Sequence, residues 1–562
     1  HGLPIIEHAE FGRNVPDETV PDADKMELGK IYHMGREEKA DLILNRQAMA
    51  SHTFVTGSTG TGKSNAVYHL LDEITKDGRT SFLVVEPAKG EYKNVFGSRA
   101  DVKVFGTNPR ETPLLRINPF AFPQNIHILE HIDRLVEIFN ACWPMYAAMP
   151  AVLKDAIERS YQKVGWDLRN SESEKGVFPT FFDLLDILPG VIEESHYSKD
   201  TQSDYVGALC TRVKSLTNGI YGSVFCAEDA LSDAELFDCN VVVDLSRVGS
   251  METKSLLMGI LVMKLQEYRM CGSEMNSRLR HVTVLEEAHN LLRKTSAEQS
   301  QEGANLQGKS VEMLANAIAE MRTYGEGFII ADQAPGLLDM SVIRNTNTKI
   351  ILRLPDEEDR KLVGKSAALK EAQIDELSKL PLGVAAVYQN EWPEAVLCKI
   401  EAYPMPENAV YHKPSKMPHE INAEFVFGQL AAGKELEPLG VSEMEQLKLW
   451  LKRHEMMLKP EDGRYLEQVF AGGELDVAKT RKAVFDFFGG ISTVVDYCAA
   501  AEKSFTPRKE FLEQLQGQYG LKAAAADWVL NSVISMGVSL NPDAKAVDNL
   551  RTNFEQQGGR VL

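Results

Sequence analysis

The sequence predicts an α/β protein: a mostly parallel sheet covered on both faces by helices, with a helical insertion and a C-terminal helical domain. Three observations predict it. From Ser51 onward, apolar runs of four or five residues alternate with helix-period segments, the pattern of strands buried on both faces. One such run leads through a glycine-rich turn directly into a helix. Residues 441–562 contain helix-forming windows and no strand pattern.

Taken in order, residues 1–50 hold short strand candidates, Gly29 to His33 and Ala40 to Leu44, too little for an independent barrel. They are read as an N-terminal segment, the remnant of a longer upstream region, since the chain opens without Met. Residues 51–402 read as one α/β domain. Its strands are His52 to Thr56, Ser81 to Val85, Val102 to Phe105, Val241 to Leu245, His281 to Leu285, Phe328 to Ala331, Lys349 to Leu352, Val384 to Tyr388 and Ala395 to Ile400. A mostly helical insertion is expected at about 123–235. Helices are expected from Asn65 to Lys76 and from Ser310 to Tyr324, both with apolar residues at helical spacing, and from Thr253 to Met270. Residues 403–440 are Pro-rich and read as a linker. The 441–562 domain carries a net charge of about −2, so the acid excess of the chain, −20 overall, lies ahead of it.

The chemistry starts at Gly57-Ser58-Thr59-Gly60-Thr61-Gly62-Lys63-Ser64, which reads G-x-x-x-x-G-K-S. Glycines let the backbone curl so that successive N–H groups face inward and cradle phosphates. Lys63 reaches the β- and γ-phosphates of a nucleotide, and the Ser64 hydroxyl can bind Mg²⁺. A strand before the loop and a helix after it complete an anion site.

Hydrolysis needs a second strand ending in carboxylates. Val282-Thr283-Val284-Leu285-Glu286-Glu287 supplies one. Glu286 is placed near Mg²⁺ and Glu287 beside the attacking water, as its orienter or base. Gln333 follows a further strand and can touch the γ-phosphate or the water; the competing reading is a Gln in a turn before Pro335. Arg322 and Arg353 are candidates for stabilising phosphoryl charge, from their own or a neighbouring subunit, against the reading of ordinary surface arginines.

These pieces, with Glu86-Pro87-Ala88-Lys89-Gly90-Glu91-Tyr92, Ala288-His289-Asn290 and Asn347 to Leu354, occur in the order found in a known family. Over about residues 27–402 the chain resembles the HerA/FtsK-type P-loop ATPases, in their HerA-like branch. The resemblance implies a RecA-like core, ATP and Mg²⁺ as ligands, and a ring, usually of six subunits, with ATP bound between them. It implies that Glu287 is catalytic, that Gln333 senses the γ-phosphate, and that Arg322 reaches the neighbour's ATP, with Arg353 second. It further implies a cytoplasmic motor in a prokaryote that translocates double-stranded DNA with a nuclease or other effector, in DNA processing or anti-phage defence. The rival load is polypeptide, or an ATPase scaffold that switches an effector. Three features depart from the family: Glu286 stands where Asp is usual, there is no room for the usual N-terminal β-barrel, and the helical region 441–562 is not part of the common core.

The remaining signals are weaker. The acidic balance argues against a general nucleic-acid coat but permits a local basic channel. The polar stretch Thr295 to Ser310 is a candidate channel loop, with Lys309, Arg293 and Lys294 near DNA phosphates, against the reading of a disordered surface loop. Seven scattered cysteines without C-x-x-C read as thiols of a reducing compartment. The longest apolar run, Leu256 to Met263, is too short to span a bilayer, so no membrane association is expected. His127-Ile128-Leu129-Glu130-His131 matches H-x-x-E-H, a zinc pattern that would still need a third ligand.

Overall fold

The computed structural model describes residues 8–146, 148–173, 176–227, 230–295, 306–406 and 410–415. Beyond these it describes 446–447, 449, 459–470, 473–474, 476–501, 503, 506–519, 523–541 and 543–561. Residues 296–305 of the candidate channel loop and 416–440 of the linker lie outside this set. The chain divides into two compact units. One is His1–Glu172 with Phe178–Met417; the other is Ser173–Val177 with Pro418–Leu562.

The first unit is built on one sheet. Its strands are β1 (Lys25–His33), β2 (Arg36–Asn45), β3 (Thr53–Thr56), β4 (Ser81–Glu86) and β5 (Val102–Gly106). After a two-residue ladder within the insertion, β6 (Trp166–Asp167) with β7 (Glu172–Ser173), the sheet resumes. Its later strands are β8 (Asn240–Asp244), β9 (His281–Glu286), β10 (Glu326–Asp332), β11 (Thr348–Ile351), β12 (Val384–Gln389) and β13 (Val396–Lys399). The spatial order is β2-β1-β13-β12-β11-β3-β10-β9-β4-β8-β5. The stretch from β11 to β5 is parallel throughout; β12, β13, β1 and β2 extend it antiparallel.

The N-terminal strands therefore differ from the sequence expectation of a separate segment. β1 pairs with β13 through Lys30 opposite Lys399 and Ile31 opposite Cys398, and so continues the main sheet. The reason is physical: a two-stranded hairpin is marginal alone, and the open edge of β13 offers it a ladder.

Alternation along each strand sorts the core into two layers. Phe54, Leu83, Val85, Val241, Val243, Leu285, Phe328 and Ile330 face one side, where they pack with the insertion helices and with Met251–Gly272. Val55, Phe82, Val84, Val242, Val284, Ile329 and Ile350 face the other, where helix α1 (Lys63–Thr75) presents Val67, Leu70, Leu71 and Ile74. Burial on both faces explains why these strands read as unbroken apolar runs. Each such side chain contributes on the order of 1.5–3 kcal/mol when fully buried.

The insertion between β5 and β8 is helical, as expected, and begins with Ile128–Cys142. His127 caps that helix, accepting the N–H of Leu129, while His131 is buried against Glu267 at 3.0 Å. The H-x-x-E-H reading therefore fails: one histidine caps the start of a helix and the other is held in a hydrogen bond to a buried carboxylate. Among the described residues no cluster of three or more His, Cys, Asp or Glu could hold a metal by itself.

The second unit is helical in its described parts, including Val477–Phe487, Ile491–Ala501 and Ala523–Leu540, around Phe485, Phe487, Tyr497, Leu530 and Ile534. Among the described residues no single helix is long and apolar enough to cross a membrane.

Candidate nucleotide-binding site

Parallel strands bring all their carboxyl ends to one edge of the sheet, where α/β proteins place ligands. The register here is specific. Asp332 of β10 lies opposite Thr56 of β3, and Ala331 lies opposite Glu286 of β9. The glycine loop after β3, Gln333 after β10 and the carboxylates ending β9 are thus set side by side.

The loop is held from both flanks. The Ser58 N–H and hydroxyl both donate to the Arg353 carbonyl, at 3.0 and 3.1 Å, and the Gly383 N–H donates to the Thr61 carbonyl at 3.2 Å. Gly57 has no room for a side chain: a Cβ would stand 2.7 Å from Thr61 Oγ1 and 2.8 Å from Leu352 Cβ. Gly62 has φ 107° and caps α1 in the left-handed region, a conformation that favours glycine. The first-turn N–H groups of α1, from Lys63 onward, lack helical partners and so suit an anion.

A cleft of about 410 Å³ opens above this edge. Ser58, Thr59, Gly60, Gly62, Lys63 and Ser64 line it, together with Glu286, Glu287 and Gln333. Thr59 donates to Gln333 Oε1 at 2.8 Å, so the loop and the β10 tip already touch. Glu287 is half-buried, with φ 44° and ψ 51°. That left-handed conformation is costly for a residue with a side chain, and such strain concentrates at functional sites. Its neighbour is anchored: the His289 N–H and Nδ1 both contact Asp332 Oδ2, at 2.9 and 2.8 Å, tying the β9 tip to the β10 tip. The bond to Asp332 holds the His289 pKa above its ordinary value.

Glu286 is buried, and Lys63 Nζ lies 4.0 Å from its Oε2. Burial raises its pKa, opposed by Lys63 and by a hydrogen bond from the Tyr92 hydroxyl. Lys63, the Ser64 hydroxyl and the two carboxylates share one cleft. This donor set suits Mg²⁺, a cation that takes one or two protein oxygens and fills its remaining positions with phosphate and water.

Two sequence candidates stand apart. Arg322, in the turn Met321–Tyr324, and Arg353, just after β11, are exposed and do not line this cleft; Arg353 serves it through its carbonyl. Other wall residues enter the sequence reading only as part of a motif, with no role assigned. Glu86, which ends β4, lines the cleft with Lys89 and Tyr92. Burial pushes its carboxyl up to about 8. The available signal was an apolar β run ending in a glutamate, as the run before Glu286 does. Leu382, Gly383 and Ile400, at the ends of β12 and β13, form another part of the wall.

A family model described as the central domain of helicase HerA matches residues 26–218. The chain is 26% identical over 396 residues to the DNA double-strand break repair helicase HerA of Sulfolobus acidocaldarius, spanning 68% of this chain and 71% of that protein. It is 23% identical over 436 residues to a probable helicase of Methanocaldococcus jannaschii, spanning 71% and 76%. Its fold is similar to VirB4 of Thermoanaerobacter pseudethanolicus, with a TM-score of 0.50 at 18% identity over 68% of this chain and 98% of that one. It is similar also to the plasmid coupling protein TrwB, solved with a non-hydrolysable ATP analogue, with a TM-score of 0.50 at 15% identity over 74% and 99%. The sheet, the glycine loop on β3 and the acidic end of β9 are those of a RecA-like P-loop core, and over residues 26–218 the chain is similar to the central domain of helicase HerA.

Proposed function

We propose that this chain is an ATP-hydrolysing ring motor that moves double-stranded DNA. The observation that carries the hydrolytic part is the single cleft lined by Lys63, Ser64, Glu286, Glu287 and Gln333. In this reading Lys63 and the loop N–H groups bind the phosphates, and Gln333 orients the γ-phosphate or the water. Ser64 and Glu286 would hold Mg²⁺, which would supply neutralisation of phosphate charge. Water attacks the γ-phosphorus, its proton passes to Glu287, the bond to the β-phosphate oxygen breaks, and ADP and phosphate leave.

The ring reading is supported by the lining of the cleft: among the described residues no arginine lines it, and an arginine often completes phosphoryl transfer in such sites. Arg322 is exposed and so available to a neighbouring subunit, with Arg353 as the second choice. Six subunits is the expected number for this family. The DNA load rests on relatives that are named helicases of double-strand break repair. We place the motor in a prokaryotic cytoplasm, working with a nuclease or other effector in DNA processing or anti-phage defence.

The test is ATP turnover with and without long duplex DNA, at stated salt. Strong stimulation supports the motor. Turnover indifferent to DNA at every salt would instead favour a ring that moves polypeptide or switches an effector.

A further inference from the structure

We propose that Tyr92 is a positioning residue that fixes the carboxylate of Glu286 for its cation; the proposal rests on the reading of Glu286 as a Mg²⁺-side residue. A glutamate in this position has one more rotatable bond than an aspartate, and an unrestrained carboxylate would spread over several rotamers. Here it is tethered. The Tyr92 hydroxyl donates to Oε1 of Glu286 at 2.5 Å, while Oε2 faces Lys63 at 4.0 Å. One oxygen is thus committed to the protein wall and the other is turned toward the phosphate side of the cleft.

The tether is itself rigid. Tyr92 is 1% exposed. Its ring meets Tyr68 edge-on at 5.0 Å and lies near-parallel to Phe96 at 6.5 Å. Its backbone is held by the end of β4: Glu86 accepts the N–H of Glu91 at 2.8 Å and that of Tyr92 at 3.1 Å. A buried, packed phenol on a pinned backbone cannot follow a wandering carboxylate, so the carboxylate must settle on the phenol. Partners that orient a metal ligand typically change metal affinity by about 10–100-fold when removed.

Tyr92→Phe deletes the hydroxyl and keeps the ring. The readout is the dissociation constant of a fluorescent ADP analogue, with Mg²⁺ and with EDTA. The gain in affinity from Mg²⁺ should fall by about tenfold or more, and the affinity in EDTA should stay within about twofold. In a Glu286→Asp background, where the side chain is too short to reach Tyr92, Tyr92→Phe should have no further effect. A Tyr92→Phe protein with the full Mg²⁺ gain overturns the proposal, as does an equal loss with and without Mg²⁺, the mark of a packing defect. Glu286→Ala separates the two readings. If it keeps the Mg²⁺ gain, the assignment of Glu286 itself fails. If it loses the gain while Tyr92→Phe keeps it, only the positioning role fails.

Discussion

Glu287 offers a prediction in which stability and activity move in opposite directions. Its backbone sits at φ 44° and ψ 51°. For a residue with a Cβ that conformation costs roughly 1–2 kcal/mol. Glycine escapes the cost but loses about 0.5–1 kcal/mol through its freer unfolded chain. The difference leaves Glu287→Gly between about as stable as the parent and about 1.5 kcal/mol more stable. The local hydrogen bonds survive the change, because the Glu287 carbonyl, not its side chain, accepts from the Asn290 N–H at 2.9 Å and from Asn290 Nδ2 at 2.8 Å. Glu287→Gln keeps the strained backbone and the side-chain volume, so its stability should match the parent within about 0.5 kcal/mol. Both variants lose the general base, which is worth about 10²–10⁴ in rate. The assays are urea unfolding without nucleotide and phosphate release at saturating ATP. A glycine variant less stable than the parent by 1 kcal/mol or more, or a glutamine variant that hydrolyses normally, would refute the reasoning.

Three further outcomes are expected. Gly57→Ala should weaken nucleotide binding by about tenfold or more and cost about 1–3 kcal/mol, because the new methyl meets Leu352 Cβ at 2.8 Å on a buried wall; titration with labelled ADP and thermal unfolding check this. Burial pushes the Glu86 carboxyl up from 4.5 to about 8. Across that window the folded state keeps a proton the unfolded chain releases, so stability falls as pH rises from 4.5 to 8, by at most a few kcal/mol. Glu86→Gln should flatten that slope in unfolding curves taken from pH 4.5 to 8.5, and an unchanged slope would contradict it. Arg322→Ala should be inactive alone but regain turnover when mixed with Lys63→Ala subunits, since mixed rings contain some intact interfaces. Activity no greater than that of the separate variants would remove Arg322 from the trans role.

What could be read from the sequence was local. The glycine loop is contiguous, and both flanking elements lie within a few residues of it. β9 announced itself because four apolar or β-branched residues buried on both faces end abruptly in two carboxylates. What escaped was non-local. Tyr92 and Glu286 touch across 194 residues, so the motif that ends in Tyr92 could be seen in the sequence but its contact with Glu286 could not. β1 and β2 looked isolated because the edge they join, β13, begins at Val396. The H-x-x-E-H match showed the same limit of local patterns: the partner of His131 is Glu267, 136 positions away. The arginines lie outside their own cleft, so neither the sequence nor a single chain assigns them.

The central claim is that the glycine loop and Glu287 act on one bound ATP and that the energy drives a load along duplex DNA. The most direct measurement is steady-state ATP turnover by the parent chain, Lys63→Ala and Glu287→Gln, each with and without long duplex DNA at fixed salt. The account predicts DNA-stimulated turnover in the parent and none in either variant, with Glu287→Gln alone still retaining ATP. Parent turnover that ignores DNA, or a Glu287→Gln protein as active as the parent, would contradict it.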